Sequence, residues 1–209
     1  MRVLLLSCAP ERLLPVFGED QVEVRSDPLT EVPDTDFIVS YGYRHIIREP
    51  ILSAFSRKLV NIHIGMLPFN RGADPNFWSW FENTQKGITI HRIDAGIDTG
   101  DILLQKRKTW PDNARTLRST YEDLQREAVK MFGTLWPMLK FGAVPAYRQE
   151  EGGSFHRSSD KDRYFSLLSR GWDSPVSEVW QLGNEVMAES QMTACAHNIY
   201  DAEVRQVPV

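Results

Sequence analysis

Three short apolar runs in the first third of the chain constrain its fold most strongly. They are RVLLLS at residues 2–7, DFIVSYGY at residues 36–43 and KLVNIHI at residues 58–64. Short, nearly continuous apolar runs are typical of parallel strands that are covered on both faces. The sequence therefore predicts an α/β fold around a buried, mainly parallel sheet.

Strand and helix signals alternate along the rest of the chain. GITIHRI and DILLQKR favour two strands joined by a turn, and Asp74 followed by Pro75 favours a helix start. Another helix start is expected at Ser174 and Pro175. The longest helix is predicted from about 116 to 141, where apolar residues recur at spacings of three and four: Leu117, Tyr121, Leu124, Ala128, Phe132, Leu135 and Leu139.

The composition of the sequence changes after Gly142, where a polar, glycine-containing stretch replaces the helical pattern of apolar residues. We predict a catalytic core at 1–142 and a small C-terminal extension at 143–209. A chain of 209 residues is long enough to bury a core of its own.

Charge and cysteine content exclude several classes of function. The net charge is −4 and the isoelectric point about 5.8, so no overall positive field attracts nucleic acid. Cys8 and Cys195 are the two cysteines, which argues against a disulfide framework and favours a reducing, cytoplasmic location.

The apolar stretch at 3–6 is shorter than the roughly 7–15 apolar residues at the centre of a signal peptide. No run approaches the ~18 apolar residues of a membrane span, so no membrane partner is expected.

Asn61 and His63 form the first candidate site. Side chains alternate along a strand, so these two polar groups share one face while Val60 and Ile62 point the other way. An amide can stabilise an oxyanion and an imidazole can remove a proton, which together suit acyl transfer to an amine. An aspartate can then fix the tautomer of the imidazole or favour its cation. Taken alone, however, such a triplet is also typical of a core or capping histidine.

A longer pattern resembles a known family. NIHIGMLPFNRGADP followed by GITIHRIDAGIDTGDILLQK is similar to the catalytic stretch of folate-dependent formyltransferases. The resemblance implies that Asn61, His63 and Asp98 act on the formyl group of 10-formyltetrahydrofolate. It also implies a pteridine pocket made largely by backbone at Tyr41, Gly42, Tyr43, Arg44, His45, Ile46, Ile47, Ala95, Gly96, Ile97 and Thr99.

The resemblance also sets the expected fold class. In these enzymes the strand with the N-x-H triplet usually comes later in the chain, so one strand–helix unit is expected to be missing here. The fold predicted is α/β, an abbreviated Rossmann-like formyltransferase core with a small C-terminal subdomain.

The class of acceptor substrate is inferred by excluding two other classes of formyltransferase and by a second resemblance. Initiator-tRNA formyltransferases carry an additional barrel domain, and glycinamide ribonucleotide formyltransferases hold phosphate in a glycine-rich first turn, where this chain has SCAPERLLP. RGADPNFW, GGSFHRSSDKDRY and GWDSPVSE are instead similar to sugar N-formyltransferases, which formylate nucleotide-linked amino-dideoxy sugars for surface polysaccharides. Candidate substrate contacts are Arg71, Phe155, His156, Arg157, Lys161 and Tyr164.

Other interpretations of the sequence stay open. The acceptor can be another small amine, such as hydroxyornithine, and a catalytically silent folate-binding protein is the alternative outside the enzyme class. A homodimer is also left open. His45 and His91 are interpreted as structural or solvated rather than catalytic. No metal is expected, because His, Cys and Glu lack ligand spacing and the acidic loop at 94–105 lacks the EF-hand pattern.

Overall fold

A six-stranded sheet forms the centre of the protein. The computed structural model describes residues 1–110 and 115–189. The strands of the main sheet are β1 (Arg2–Ser7), β2 (Gln21–Arg25), β3 (Phe37–Tyr41), β4 (Leu59–His63), β6 (Gly87–Arg92) and β7 (Ile102–Arg107), and a small second sheet pairs β5 (Arg71–Gly72) with β8 (Phe155–His156). The main order is β2-β1-β3-β4-β6-β7, with β1 to β4 parallel and β6 and β7 antiparallel. The three apolar runs are thus parallel strands, as predicted.

Helices are few and mostly short. They are α1 (Ile51–Ala54), α2 (Pro75–Phe81), α3 (Leu117–Lys140), α4 (Asp162–Phe165) and α5 (176–189), with 3₁₀ turns at Pro10–Arg12, Leu14–Phe17 and Gly171–Asp173. Two 3₁₀ turns join β1 to β2, where a doubly wound sheet usually has an α-helix. The expected abbreviated Rossmann-like core is confirmed. None of the described helices is both long and apolar enough to cross a membrane.

Helix α3 covers one face of the sheet. Thr116 begins it with a capping box, in which its side chain accepts from the Ser119 N–H. Its apolar stripe packs on Val60 and Ile62 of β4 and on their neighbours in β1, β3 and β6. A second cluster, which includes Leu59, lies on the opposite face against α1. Val60 and Ile62 therefore point towards α3, and Asn61 and His63 point away from it, as the alternation predicts.

The chain after Gly142 returns to the core. Tyr147 pairs with Ile102 at the start of β7, and β8 pairs with β5. Helix α5 adds Val179 to an apolar cluster that contains Phe77 of α2. The boundary at residue 142 and the subdomain at 143–209 stay predictions, and Cys195 lies outside the described residues.

Helix α2 begins where the sequence predicts, but the side chain at its N-cap has another partner. Asp74 occupies the N-cap position and Pro75 the first helical position, as predicted, but the Asp74 side chain makes no capping hydrogen bond. Its Oδ1 accepts instead from Nζ of Lys161 at 2.9 Å. The charged partner competes successfully with the backbone N–H groups, because a hydrogen bond between two ionised groups is the stronger one.

Candidate active site

Strand β4 carries the two polar residues of the N-x-H triplet, and its antiparallel neighbour β6 adds a third. Asn61 lies opposite His91, and His63 lies opposite Thr89. All four side chains lie on the face of the sheet away from α3, because Ile88 and Ile90 fill the alternate positions of β6. The register thus gathers polar side chains from two strands.

Asp98 joins this group from the loop between β6 and β7. Its Oδ2 lies 3.4 Å from Nδ1 of His63, and its Oδ1 accepts from Nδ2 of Asn61 at 3.1 Å. The Asp98 backbone has a φ of 53°. Asp94 shapes the same loop by accepting from the Gly96 N–H at 3.1 Å and from the Thr99 hydroxyl at 2.6 Å. The three residues singled out in the sequence therefore meet in one place.

His91 also belongs to this group, although the sequence predicted a structural or solvated histidine here. Its side chain is 2% exposed. Its Nδ1 donates to the carbonyl of Arg92 at 2.7 Å, so in the neutral ring Nε2 is free to accept from Nδ2 of Asn61 at 3.1 Å. The same Nε2 lies 3.3 Å from Oδ1 of Asp98. His91 is buried, as a structural histidine is, yet it orients two of the candidate catalytic residues.

Both ring nitrogens of His63 face acceptors. Nε2 lies 3.0 Å from the carbonyl oxygen of Asn70, and Nδ1 faces Asp98. A neutral imidazole has one N–H for these two acceptors, and protonation supplies the second. Burial lowers the pKa of His63, and the Asp98 carboxylate opposes this effect. The ring is therefore neutral at rest and has a partner for each N–H once it accepts a proton.

Asp98 keeps its negative charge in this buried place. Burial by itself raises the pKa of its carboxyl group, but His63, His91 and the Gly72 N–H together hold that pKa well below the usual range. The Gly72 N–H donates to Oδ2 at 2.8 Å. Gln149, from the chain after Gly142, donates to the Asp98 carbonyl at 2.8 Å and so holds the loop. A fixed carboxylate beside a neutral imidazole suits general base catalysis.

A cavity of about 930 Å³ opens over this group. One part of its wall comes from the loop after β3 and from the aspartate loop. The predicted folate contacts in this wall are Tyr41, Gly42, Tyr43, Arg44, His45, Ile46, Ile47, Gly96 and Ile97. Burial raises the pKa of Tyr41 to about 12, and its hydroxyl donates to Oε1 of Gln125. The Tyr41 hydroxyl therefore stays neutral in the wall of the cavity.

Another part of the wall comes from the C-terminal extension. Four of the predicted acceptor contacts lie in it, namely Phe155, His156, Arg157 and Lys161. The His156 ring stacks on Trp78, with centroids 3.8 Å apart and planes 8° apart. Nε2 of His156 lies 2.9 Å from Oε1 of Glu82, an ion-pair distance without the alignment of a hydrogen bond. This ring is therefore held firmly at the wall.

Four predicted contacts lie outside the lining of this cavity: Ala95, Thr99, Arg71 and Tyr164. The Thr99 hydroxyl donates to Oδ1 of Asp94 at the surface. Arg71 extends towards Gln149, with Nη2 3.3 Å from its Oε1, and Tyr164 packs on Phe81 with ring centroids 4.6 Å apart. Thr99, Arg71 and Tyr164 thus each contact another residue of the protein. Within residues 1–110 and 115–189, no group of three or more His, Cys, Asp or Glu residues is arranged to hold a metal ion.

Comparison with known proteins identifies the family of this chain. The family model for formyl transferases matches residues 21–132, which is more than half of the chain. The chain belongs to the formyl transferase family. This match includes all three candidate catalytic residues and confirms the recognition of a folate-dependent N-formyltransferase from the sequence.

Solved structures extend the similarity beyond the matched region. The formyltransferase PseJ from Anoxybacillus kamchatkensis, in complex with UDP-4,6-dideoxy-4-formamido-L-AltNAc and tetrahydrofolate, is 41% identical with a TM-score of 0.82, over 86% of this chain and 97% of that one. A sugar N-formyltransferase from Shewanella sp FDAARGOS_354 is 20% identical with a TM-score of 0.70, over 88% of this chain and 87% of that one. A 4-N formyltransferase from Francisella tularensis is 16% identical with a TM-score of 0.72, over 87% of each chain. The last two show the shared fold alone.

Proposed function

We propose that the protein transfers a formyl group from 10-formyltetrahydrofolate to the primary amine of a nucleotide-activated amino-dideoxy sugar, for surface polysaccharide biosynthesis. The observation that carries the proposal is the contact of Asn61, His63 and Asp98 beneath one cavity. The cavity extends from the loop at 41–47 to the segment at 155–161. It thus offers separate walls for a flat pteridine and for a longer acceptor.

The ligands of PseJ support this division. That protein was crystallised with tetrahydrofolate and a UDP-linked formamido sugar, which are the two kinds of product that such a transfer yields. Lys161 and Arg157 give the acceptor wall positive groups for a diphosphate. Lys161 is already paired with Asp74, so a diphosphate has to share or displace that contact.

In the proposed reaction the acceptor amine attacks the formyl carbon, and the carbonyl oxygen becomes an oxyanion. Nε2 of the neutral His63 ring donates to the Asn70 carbonyl, so Nδ1 carries the lone pair and takes the proton that the amine nitrogen loses. The bond from carbon to N10 of the folate then breaks, and the protonated His63 gives its proton to N10. Asp98 stabilises the imidazolium that exists between these two proton transfers.

Asn61 supplies the oxyanion donor only after a change of partner. Both hydrogens of its Nδ2 are already directed to His91 and Asp98. His63 faces Oδ2 of Asp98 and Asn61 donates to Oδ1, so the release of Asn61 requires the carboxylate to turn towards the ring when His63 becomes positive. One N–H of Asn61 is then released towards the oxyanion, so that proton transfer and oxyanion stabilisation occur together.

A panel of acceptors tests the proposed function. We expect formyl transfer from 10-formyltetrahydrofolate to at least one nucleotide-linked amino sugar, and none to the same sugar without its nucleotide, because the nucleotide supplies binding energy. Tetrahydrofolate release and the mass of the product are measured. Turnover of hydroxyornithine with no turnover of any nucleotide sugar would replace the proposed acceptor by a small amine.

Asp98→Asn is expected to move the pH dependence of turnover. Asp98 raises the pKa of His63, so its neutralisation lowers that pKa, and the acidic limb of the kcat profile moves to lower pH. At neutral pH kcat falls by roughly 10- to 100-fold, since a hydrogen bond to a charged group is worth about 1.5–3 kcal/mol. The measurement is kcat between pH 5 and 9, taken as an approximate working range. An unmoved acidic limb would mean that Asp98 acts only through the shape of its loop.

A further inference from the structure

Residues 70–72 place a backbone group on each side of the candidate base. The Asn70 carbonyl lies 3.0 Å from Nε2 of His63. The Gly72 N–H donates at 2.8 Å to Oδ2 of Asp98, the same oxygen that lies 3.4 Å from Nδ1 of His63. This short segment therefore sets the surroundings of both ring nitrogens, directly on one side and through Asp98 on the other.

Asn70 is held in place by its side chain. The residue is completely buried and has a φ of 57°, in the left-handed region that Asn tolerates better than most residues. Its Nδ2 donates to Oε2 of Glu82 at 2.9 Å, and its Oδ1 accepts from the Thr84 hydroxyl at 2.7 Å. The position of the carbonyl beside His63 thus depends on contacts that lie behind the ring.

Ser154, from the C-terminal extension, completes this arrangement. Its hydroxyl accepts from the Asn70 N–H at 3.0 Å and donates to Oε2 of Glu82 at 2.9 Å. One hydroxyl therefore satisfies the backbone of Asn70 and the carboxylate that anchors the Asn70 side chain. Removing it leaves a part-buried N–H without this acceptor, which is costly in a dry environment.

Close backbone approach brings the two segments together. Strands β5 and β8 pair in parallel beside Asn70. A Cβ atom on Gly72 would lie 2.3 Å from the carbonyl oxygen of His156, and one on Gly153 would lie 2.0 Å from that of Pro68. Both glycines have a positive φ, 85° for Gly72 and 87° for Gly153. The sequence thus uses glycine where the extension approaches the segments that follow β4.

We propose that Asn70 and Ser154 form a positioning clamp for His63, so that the C-terminal extension aligns the base as well as lining the acceptor side of the cavity. The proposal rests on the proposed role of His63 as the base. Neither clamp residue exchanges protons with the substrate. Both act through the hydrogen bond between His63 and the Asn70 carbonyl.

The clamp has a measurable signature. A hydrogen bond to the Asn70 carbonyl stabilises the protonated ring, so a loose clamp lowers the pKa of His63. The other groups that face the ring are Asp98 and His91, whose ring centroid lies 6.5 Å away, and Glu82 lies behind Asn70. Ser154→Ala replaces none of these groups. A misalignment on the order of 1 Å can by itself cost about 100-fold in rate.

Ser154→Ala and Ser154→Thr form the central pair of variants. We expect kcat of Ser154→Ala to fall by about 10- to 100-fold, while KM for the folate donor stays unchanged. The acidic limb of the pH profile of kcat should move to lower pH. Ser154→Thr keeps the hydroxyl and should recover most of the rate. Ser166→Ala changes an exposed serine of the C-terminal extension outside the lining of the cavity, so it is the matched control and should keep the parent kcat.

Asn70→Gly is the second test, because it keeps the positive φ and the carbonyl but loses the side-chain anchors. We expect the same fall in kcat and the same shift of the acidic limb to lower pH. If Ser154→Ala does not fold, the result for Asn70→Gly decides whether the clamp exists. A normal kcat, or a fall without any pH shift, would overturn the clamp. His63→Asn is measured in parallel: if it keeps its turnover, the proposed base is wrong, and if it is inactive while both clamp variants are normal, the clamp alone is wrong.

Discussion

Replacing His63 with asparagine is expected to lower kcat by roughly 10²–10⁴-fold, the range typical of losing a general base. Asparagine retains a side-chain amide near Asp98 and the Asn70 carbonyl but cannot accept the proton of the amine. Because His63 is 6% exposed, the change removes little surface available to a flat pteridine. Folate binding should therefore survive.

The measurement is steady-state turnover beside calorimetric titration with a folate ligand. Loss of turnover with intact folate affinity supports the assignment of His63 as the base. Near-normal turnover of the His63→Asn variant with the true acceptor would refute that assignment. Loss of both properties, together with a lower melting temperature, would instead indicate that His63 has a structural role.

The periodicity of the strands explains how much of this site was predictable. The alternation in KLVNIHI places Asn61 and His63 on one face, and the structure confirms it, because Val60 and Ile62 pack beneath α3. Asp98 is different. Its place beside His63 depends on a loop, and no local period describes a loop. Its predicted role came from the resemblance to a family.

His91 was predicted to be structural or solvated, although the sequence pattern around it already places it on the face of Asn61 and His63. In GITIHRI the apolar Ile88 and Ile90 alternate with Thr89 and His91, so the histidine faces away from the apolar side. The missing information was the register that pairs His91 with Asn61, 30 residues earlier. Register between strands is a tertiary property, which the period alone does not determine.

The contacts of the C-terminal extension could not be predicted from a pattern. Gln149 and Ser154 lie outside helices and strands, and their partners are Asp98 and Asn70. Polar loop residues have many available partners in an unfolded chain, and the fold selects among them only when the loops meet. The sequence therefore indicated a substrate-binding stretch here but gave no sign that the same stretch contacts Asn70 beside His63.

Asn61→Ala is expected to lower kcat by roughly 10²–10³-fold, the loss typical of removing one oxyanion donor. The variant also loses the partner that Nδ2 provides to His91 and to Asp98. Two origins of the rate loss are therefore conceivable, a missing oxyanion donor and a displaced Asp98. Their pH profiles differ, since only a displaced Asp98 moves the acidic limb as Asp98→Asn does.

Combining the two substitutions tests whether Asn61 and Asp98 act as a unit. If the release of an Asn61 N–H depends on Asp98 turning to the protonated His63, removing either residue already abolishes the exchange. The double variant Asn61→Ala/Asp98→Asn should then be much faster than the product of the two single losses predicts, as is usual for coupled catalytic groups. Additive losses would mean that the amide reaches the oxyanion without the aspartate, and the exchange of partners proposed here would be wrong.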